Sequence, residues 1–184
     1  LVVVRGGLPV TRLETSIADS WSLLDAEQRR APAIIAVQRR MTTPARLLEA
    51  ALAVPNLPGR AQLLHLTDLL ATGCRSELEI WGYERVFRHP ALPPAVHQLP
   101  VKVGSTTFYL DLAYEEEMVA VELDGRLYHS SPEQHERDLR RDSALAAMGW
   151  GTIRFTHPRL RNEHSAVEEL LRVLETRRRQ LRIA

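Results

Sequence analysis

Three carboxylates fall at period-two spacing on two strand-like runs: Asp111 within 107–113, and Glu122 and Asp124 within 118–124. Glu115-Glu116-Glu117 lies between the runs and reads as their turn. If the strands fold back symmetrically there, Asp111 stands opposite Glu122. Phe108, Leu110 and Leu112 alternate onto one face, as do Val119, Val121 and Leu123, so the acids project from the other. Directly opposed like charges destabilise a strand pair. A hard divalent cation offsets that cost, because Mg²⁺ is typically held by one or two carboxylates while keeping several waters. The competing reading is an edge hairpin with solvated acids, and Asp124, just before Gly125, serves equally as a strand end. His129 follows within a few residues, in reach of a metal-held water or a phosphate.

The elements that must position these groups follow from periodicity. Leu1 to Val4 reads as a strand running into the turn Arg5-Gly6-Gly7. From about Ser16 to Gly73 the pattern is helical: Ile17, Trp21 and Leu24 recur at helix spacing, and Thr43-Pro44 is an N-cap with a first-turn proline. Pro58-Gly59 separates that helix from another carrying Leu63, Leu66 and Leu70. Ser76 to about Arg88 is expected as one more helix, and 89–94 as a proline-rich loop. Strands are expected over 96–103, 107–113 and 118–124. Ser131-Pro132-Glu133-Gln134 is a capping box opening a helix that runs to Met148, followed by a strand over 151–155. Val167, Leu170, Leu171 and Leu174 mark a last amphipathic helix that trails into Arg177-Arg178-Arg179. A meander followed by a βαβ-like unit implies a mixed sheet with helices on its faces.

Composition bounds the reading. The chain has 184 residues, 45% hydrophobic and 26% charged, enough for one sizeable core or two small units. Uninterrupted apolar stretches fall far short of the roughly 20 residues of a membrane span. Cys74 stands alone, which excludes an intrachain disulfide and points to a reducing cytoplasm. The net charge of +1 argues against nucleic-acid binding by bulk charge but leaves room for a local basic groove. Lys102 is the sole lysine, so nearly every cation is a guanidinium suited to phosphate or carboxylate.

The ordered set Ser76-x-x-Glu79, Tyr109-x-Asp111-x-Ala113, Val121-Glu122-x-Asp124-Gly125-x-x-x-His129, Arg137-Asp138-x-x-Arg141-Asp142-x-x-Leu145, Gly149-Trp150 and Ile153-Arg154-Phe155 carries a family resemblance. It resembles the restriction-endonuclease-like PD-(D/E)XK superfamily, and within it the uncharacterised domains allied to the very-short-patch-repair mismatch endonucleases. The region from Gly7 to Asp19 resembles the linker after an antitoxin-like (AbiEi-type) winged helix, so the chain is expected to be part of a longer protein. The division implied is a helical segment over 1–74 and an α/β endonuclease-like domain over 75–184, with a mixed central sheet flanked by helices.

The resemblance further implies a Mg²⁺ or Mn²⁺ site at Asp111 and Glu122, completed by the backbone carbonyl of Leu123. Glu79 enters as a further ligand or water-positioning acid, with Glu77 the alternative if the register shifts by two. A metal-activated water would then attack a DNA phosphodiester. His129 matches a histidine near the scissile phosphate in the mismatch-repair relatives, and Asp124 completes the acidic set. Arg137, Arg141 and Arg154 are implied as phosphate contacts or braces for the acids. The pattern departs at Asp124, which stands where the superfamily motif has lysine; Lys102 lies on an earlier strand, so His129 or an arginine must take over, or the site does not cleave. The expected activity is metal-dependent DNA endonucleolysis in defence, repair or mobile-element biology. The alternative is a DNA-binding or antitoxin-type regulator that uses the fold as a platform. A toxin or other protein partner is the third expectation, favoured if Trp21 or Trp81 is exposed.

Overall fold

The structure is a computed structural model that describes residues 2–124 and 132–183. The backbone divides into two compact units, Leu1–Glu77 and Leu78–Ala184. Among the described residues no helix is long and apolar enough to cross a membrane.

The first unit opens on a hairpin of β1 (Val2–Arg5) and β2 (Leu8–Thr11), so the expected strand has an antiparallel partner. Its two-residue turn needs left-handed backbone at both positions, and Gly6 and Gly7 supply it with φ of 56° and 79°. Helices α1 (Leu13–Ser20), α2 (Ala31–Gln38), α3 (Pro44–Ala53) and α4 (Arg60–Ala71) follow. The Thr43 hydroxyl caps α3 by accepting from the Arg46 amide. The helical spacing through Leu24 is not continued, since α1 ends at Ser20. Trp21 then turns inward, only 1% exposed, and its indole N–H donates to the Gly59 carbonyl at 3.0 Å. That burial removes Trp21 as a marker of a docking surface. Glu14 is buried too: the Thr42 hydroxyl donates to it at 2.6 Å and Arg46 lies 3.2 Å away.

The second unit is built on a four-stranded sheet in the order β3 (Val96–Val103), β4 (Thr106–Tyr114), β5 (Val119–Asp124), β6 (Gly151–Thr156). The first two pairings are antiparallel and β5–β6 is parallel, the mixed sheet expected of a meander leading into a βαβ unit. On one face Leu112, Tyr114, Val121 and Phe155 pack with Leu170 and Leu174 of α8 (Glu163–Ile183), and with Leu160 of α7 (His157–Arg161). On the other, Val101, Leu110, Ala113 and Ala120 pack with Leu145 of α6 (Pro132–Ala147). Helices therefore cover both faces of the sheet. The basic end of α8 is a clasp: Arg177 donates to the carbonyls of Glu117 and Gly149, and Arg178 pairs with the buried Glu117 carboxylate.

The helix expected from Ser76 to Arg88 divides into α5 (Glu77–Gly82) and a π-helical turn, Tyr83–Phe87. Its cause lies at Gly82, where an added Cβ would stand 2.6 Å from Phe87 Cε2 and 2.9 Å from Leu160 Cδ2. The phenyl ring five residues on fills that space, a spacing that suits a π turn. Gly82→Ala should therefore destabilise the protein by about 1–3 kcal/mol through overpacking. In urea titrations the midpoint is expected to fall with the slope unchanged; an unaltered midpoint would show that the ring shifts freely.

Candidate active site

The β4–β5 ladder runs from Tyr114↔Val119 to Leu112↔Val121, and the same register carries Asp111 to the position across from Glu122. There the ladder gives way to a side chain: the Leu123 amide donates to Asp111 Oδ2 at 2.9 Å. Across the sheet, Gln98 Nε2 reaches Asp111 Oδ1 at 3.4 Å, and Gln98 adopts a left-handed backbone with φ of 50°. This rung reverses the alternation of the ribbon. Leu110 packs on the α6 side whereas Leu112 packs on the α8 side. The expectation that Phe108, Leu110 and Leu112 share one face is thus corrected: Phe108 and Leu110 lie on the α6 side and Leu112 on the α8 side.

Helix α6 delivers the cation. Arg141 lies one turn before the buried Leu145, so the stripe that packs on the sheet also carries its guanidinium to the acids. One of its nitrogens donates to Glu122 Oε1 at 2.6 Å and to the Tyr109 carbonyl at 2.7 Å. Glu122 is 8% exposed. Burial and the Asp111 carboxylate push its pKa up to about 8, against the pull of Arg141 and Arg154. Burial also raises Asp111, opposed by the Leu123 amide, Arg141 and Gln98. On β6, Arg154 pairs in register with Glu122 and donates to both Asp142 oxygens, at 2.6 and 2.7 Å.

The structure brings Asp111, Glu122 and Arg141 together, with Arg154 beside them through Asp142. Asp124 is exposed at the end of β5, Arg137 is exposed on α6, and Glu79 is buried on α5. Leu123 pairs with Phe155 of β6. His129 lies outside the described residues. Among the described residues no three His, Cys, Asp or Glu side chains form a metal-binding group. The contact that sequence reasoning left undecided is Arg141 on Glu122. Its signal was a charged residue four positions before a core leucine, at the edge of the apolar stripe.

Two carboxylates against one bridging guanidinium leave excess negative charge in a poorly solvated place, and every free donor there is a hard oxygen. That donor set fits a divalent cation. Without metal, the charge has a measurable cost. From about pH 7 to 8 the folded state holds a proton on Glu122 that the unfolded chain, at an ordinary carboxylate value near 4.5, has already lost. Folded protein binds more protons, so stability falls as pH rises, with a slope of up to about 1.4 kcal/mol per pH unit that vanishes above the folded pKa. His97, which burial pushes down from 6.5, acts in the opposite direction and below this window. Denaturation of metal-free protein at the two pH values should show the decline, and Glu122→Gln should remove it. A wild-type stability that rises across the window would contradict the assignment.

A mixed sheet sandwiched by helices, with a carboxylate pair at the point where its central antiparallel strands part, is consistent with a restriction-endonuclease-like fold. The comparison with known families agrees: residues 94–174 match the restriction-endonuclease-like family REase_MTES_1575. The match spans β3 to the middle of α8 and contains both carboxylates and both arginines. No curated protein and no solved structure matches the chain.

Proposed function

We propose that the protein is a divalent-cation-dependent DNA endonuclease whose active site is built on Asp111 and Glu122. The observation that carries this reading is the pair itself: a buried Glu122 and a partly buried Asp111 on adjacent strands, with Glu122 pushed up to about 8, in a region matched to a nuclease family. Asp111, Glu122 and the Leu123 carbonyl would hold Mg²⁺ or Mn²⁺. The cation, when bound, supplies Lewis-acid stabilisation of the charge that develops on the phosphoryl oxygens. Arg141 takes the place of the missing motif lysine as a fixed cation beside the acids, its guanidinium shared between Glu122 and the Tyr109 carbonyl. Arg154, oriented by Asp142, presents a second guanidinium toward a phosphate, and Arg137 a third. Glu79, Asp124 and His129 complete the proposed set, with His129 as the group that exchanges a proton with water or the leaving oxygen.

Supercoiled plasmid and a mismatched duplex, each incubated with Mg²⁺ or Mn²⁺ and with a chelator, test the proposal. Nicking or linearisation that stops on chelation is expected. Absence of cleavage with either metal on either substrate refutes the reading. Salt-dependent binding that ignores the chelator would then favour the regulator alternative, to which the ion pair on Glu122 and the absent motif lysine lend some weight.

A further inference from the structure

Among the described residues four non-glycine positions have a left-handed backbone: Arg40, Asn56, Gln98 and Met118. Arg40, Asn56 and Met118 stand in turns, where the chain changes direction. Gln98 alone lies inside a strand, third of the eight residues of β3. In that conformation the Cβ of an L residue crowds the following carbonyl oxygen, which only glycine, asparagine and aspartate tolerate routinely.

Strand pairing does not require it. The β3–β4 ribbon runs through Val96↔Ala113 and His97↔Leu112, lacks the rung between Gln98 and Asp111, and resumes at Leu99↔Leu110 in the same register. No residue is inserted, so the site is not a bulge. A side-chain contact stands where the rung is missing. Gln98 Nε2 donates to Asp111 Oδ1 at 3.4 Å, and from the other neighbouring strand the Leu123 amide donates to Oδ2 at 2.9 Å. The Asp111 carboxylate is thus tethered at both oxygens, one to each flanking strand, and each oxygen keeps acceptor capacity for a further partner. Among the described residues Gln98 supplies the one side-chain hydrogen bond to Asp111.

We propose that Gln98 is a positioning residue for the cation site: its strained backbone aims the carboxamide at Asp111 and fixes the plane of that carboxylate beside Glu122. The inference rests on the nuclease reading for the identity of the site. Backbone strain concentrates where a site needs geometry set in advance. A carboxylate already held in one orientation loses less freedom when a cation binds it. Loss of a group that orients a metal ligand typically lowers metal affinity by about 10-fold to 100-fold.

The test is Mn²⁺ binding to the metal-free full chain without DNA, followed by electron paramagnetic resonance of the free ion, with urea titration of the same samples. Gln98→Gly and Gln98→Ala both remove the carboxamide, and both are expected to weaken Mn²⁺ binding about tenfold. They should part in stability. Glycine relieves the left-handed strain and alanine keeps it, so the urea midpoint of Gln98→Gly should lie above that of Gln98→Ala, the reverse of the usual order in a strand. Gln98→Gly should unfold at no lower urea than wild type while binding the ion less tightly, a split that a merely structural role does not give. Wild-type Mn²⁺ affinity in both variants, with Asp111→Asn lowering it, overturns the inference and leaves the nuclease reading standing. A Gln98→Gly midpoint at or below that of Gln98→Ala overturns it as well. Weakened Mn²⁺ binding in both variants of a protein that never cleaves DNA would keep the positioning role and refute the nuclease reading. A chain that binds no Mn²⁺ refutes both.

Discussion

Replacing Asp111 with Asn, or Glu122 with Gln, is expected to lower divalent-cation-dependent DNA cleavage by roughly a thousandfold or more. A cation on a transferring phosphoryl group supplies several kcal/mol of charge stabilisation, and each 1.4 kcal/mol is about a factor of ten. Removing either carboxylate charge takes away the oxygen donor that holds the cation. The amides keep the shape of the site, so DNA binding should persist. Glu122→Gln should fold for a physical reason: burial already penalises the charged form of Glu122, and Gln is neutral. Urea titration alongside the cleavage assay should show Glu122→Gln at least as stable as wild type at pH 8. Cleavage at wild-type rate in both variants would mean that the reacting phosphate lies elsewhere.

The largest effect on stability is expected at the other end of β5. Glu117 is 2% exposed within a run of three glutamates, and Arg178 of α8 holds its carboxylate. Arg178→Met leaves that carboxylate buried without its cation, at a cost of about 3 kcal/mol, the low end for a broken buried pair because Arg178 is itself half-exposed. Thermal unfolding should move down by roughly 10 °C. Replacing both partners, Glu117→Met with Arg178→Met, should recover most of the loss, since an apolar pair needs no partner. If the single variant melts with wild type, the pair is a surface ornament. If the double variant is no better than the single, the clasp depends on packing of the arginine stem.

Local patterns carried much of this fold. The strands are legible because turn residues bracket β-branched runs, and Thr43-Pro44 marks the start of α3 because cap and proline act within four residues. Symmetry about the acidic turn placed Asp111 across from Glu122, and the three rungs of β4–β5 follow that symmetry. Tertiary contacts decided the rest. Nothing local marks Gln98 for a left-handed backbone, or Leu112 for the face opposite Leu110. The π turn depends on Phe87 and Leu160 meeting at Gly82, across more than seventy residues of chain. The same holds for Trp21, whose helix spacing says nothing of a carbonyl at Gly59. Arginines were legible as a class, yet Arg141 on Glu122, Arg154 on Asp142 and Arg178 on Glu117 were separable only once the sheet had brought the acids to them.

The exposed ε-amine of Lys102 also gives the molecule an unusual chemical handle. With one lysine in 184 residues, acylating reagents have a single side-chain target, and it stands on the β3–β4 ribbon. A fluorophore or spin label can therefore be attached to that ribbon in the native sequence, with no cysteine introduced and Cys74 left buried. The same scarcity means that any enzyme acylating lysine side chains in this chain would place its mark on that ribbon and cancel the charge there.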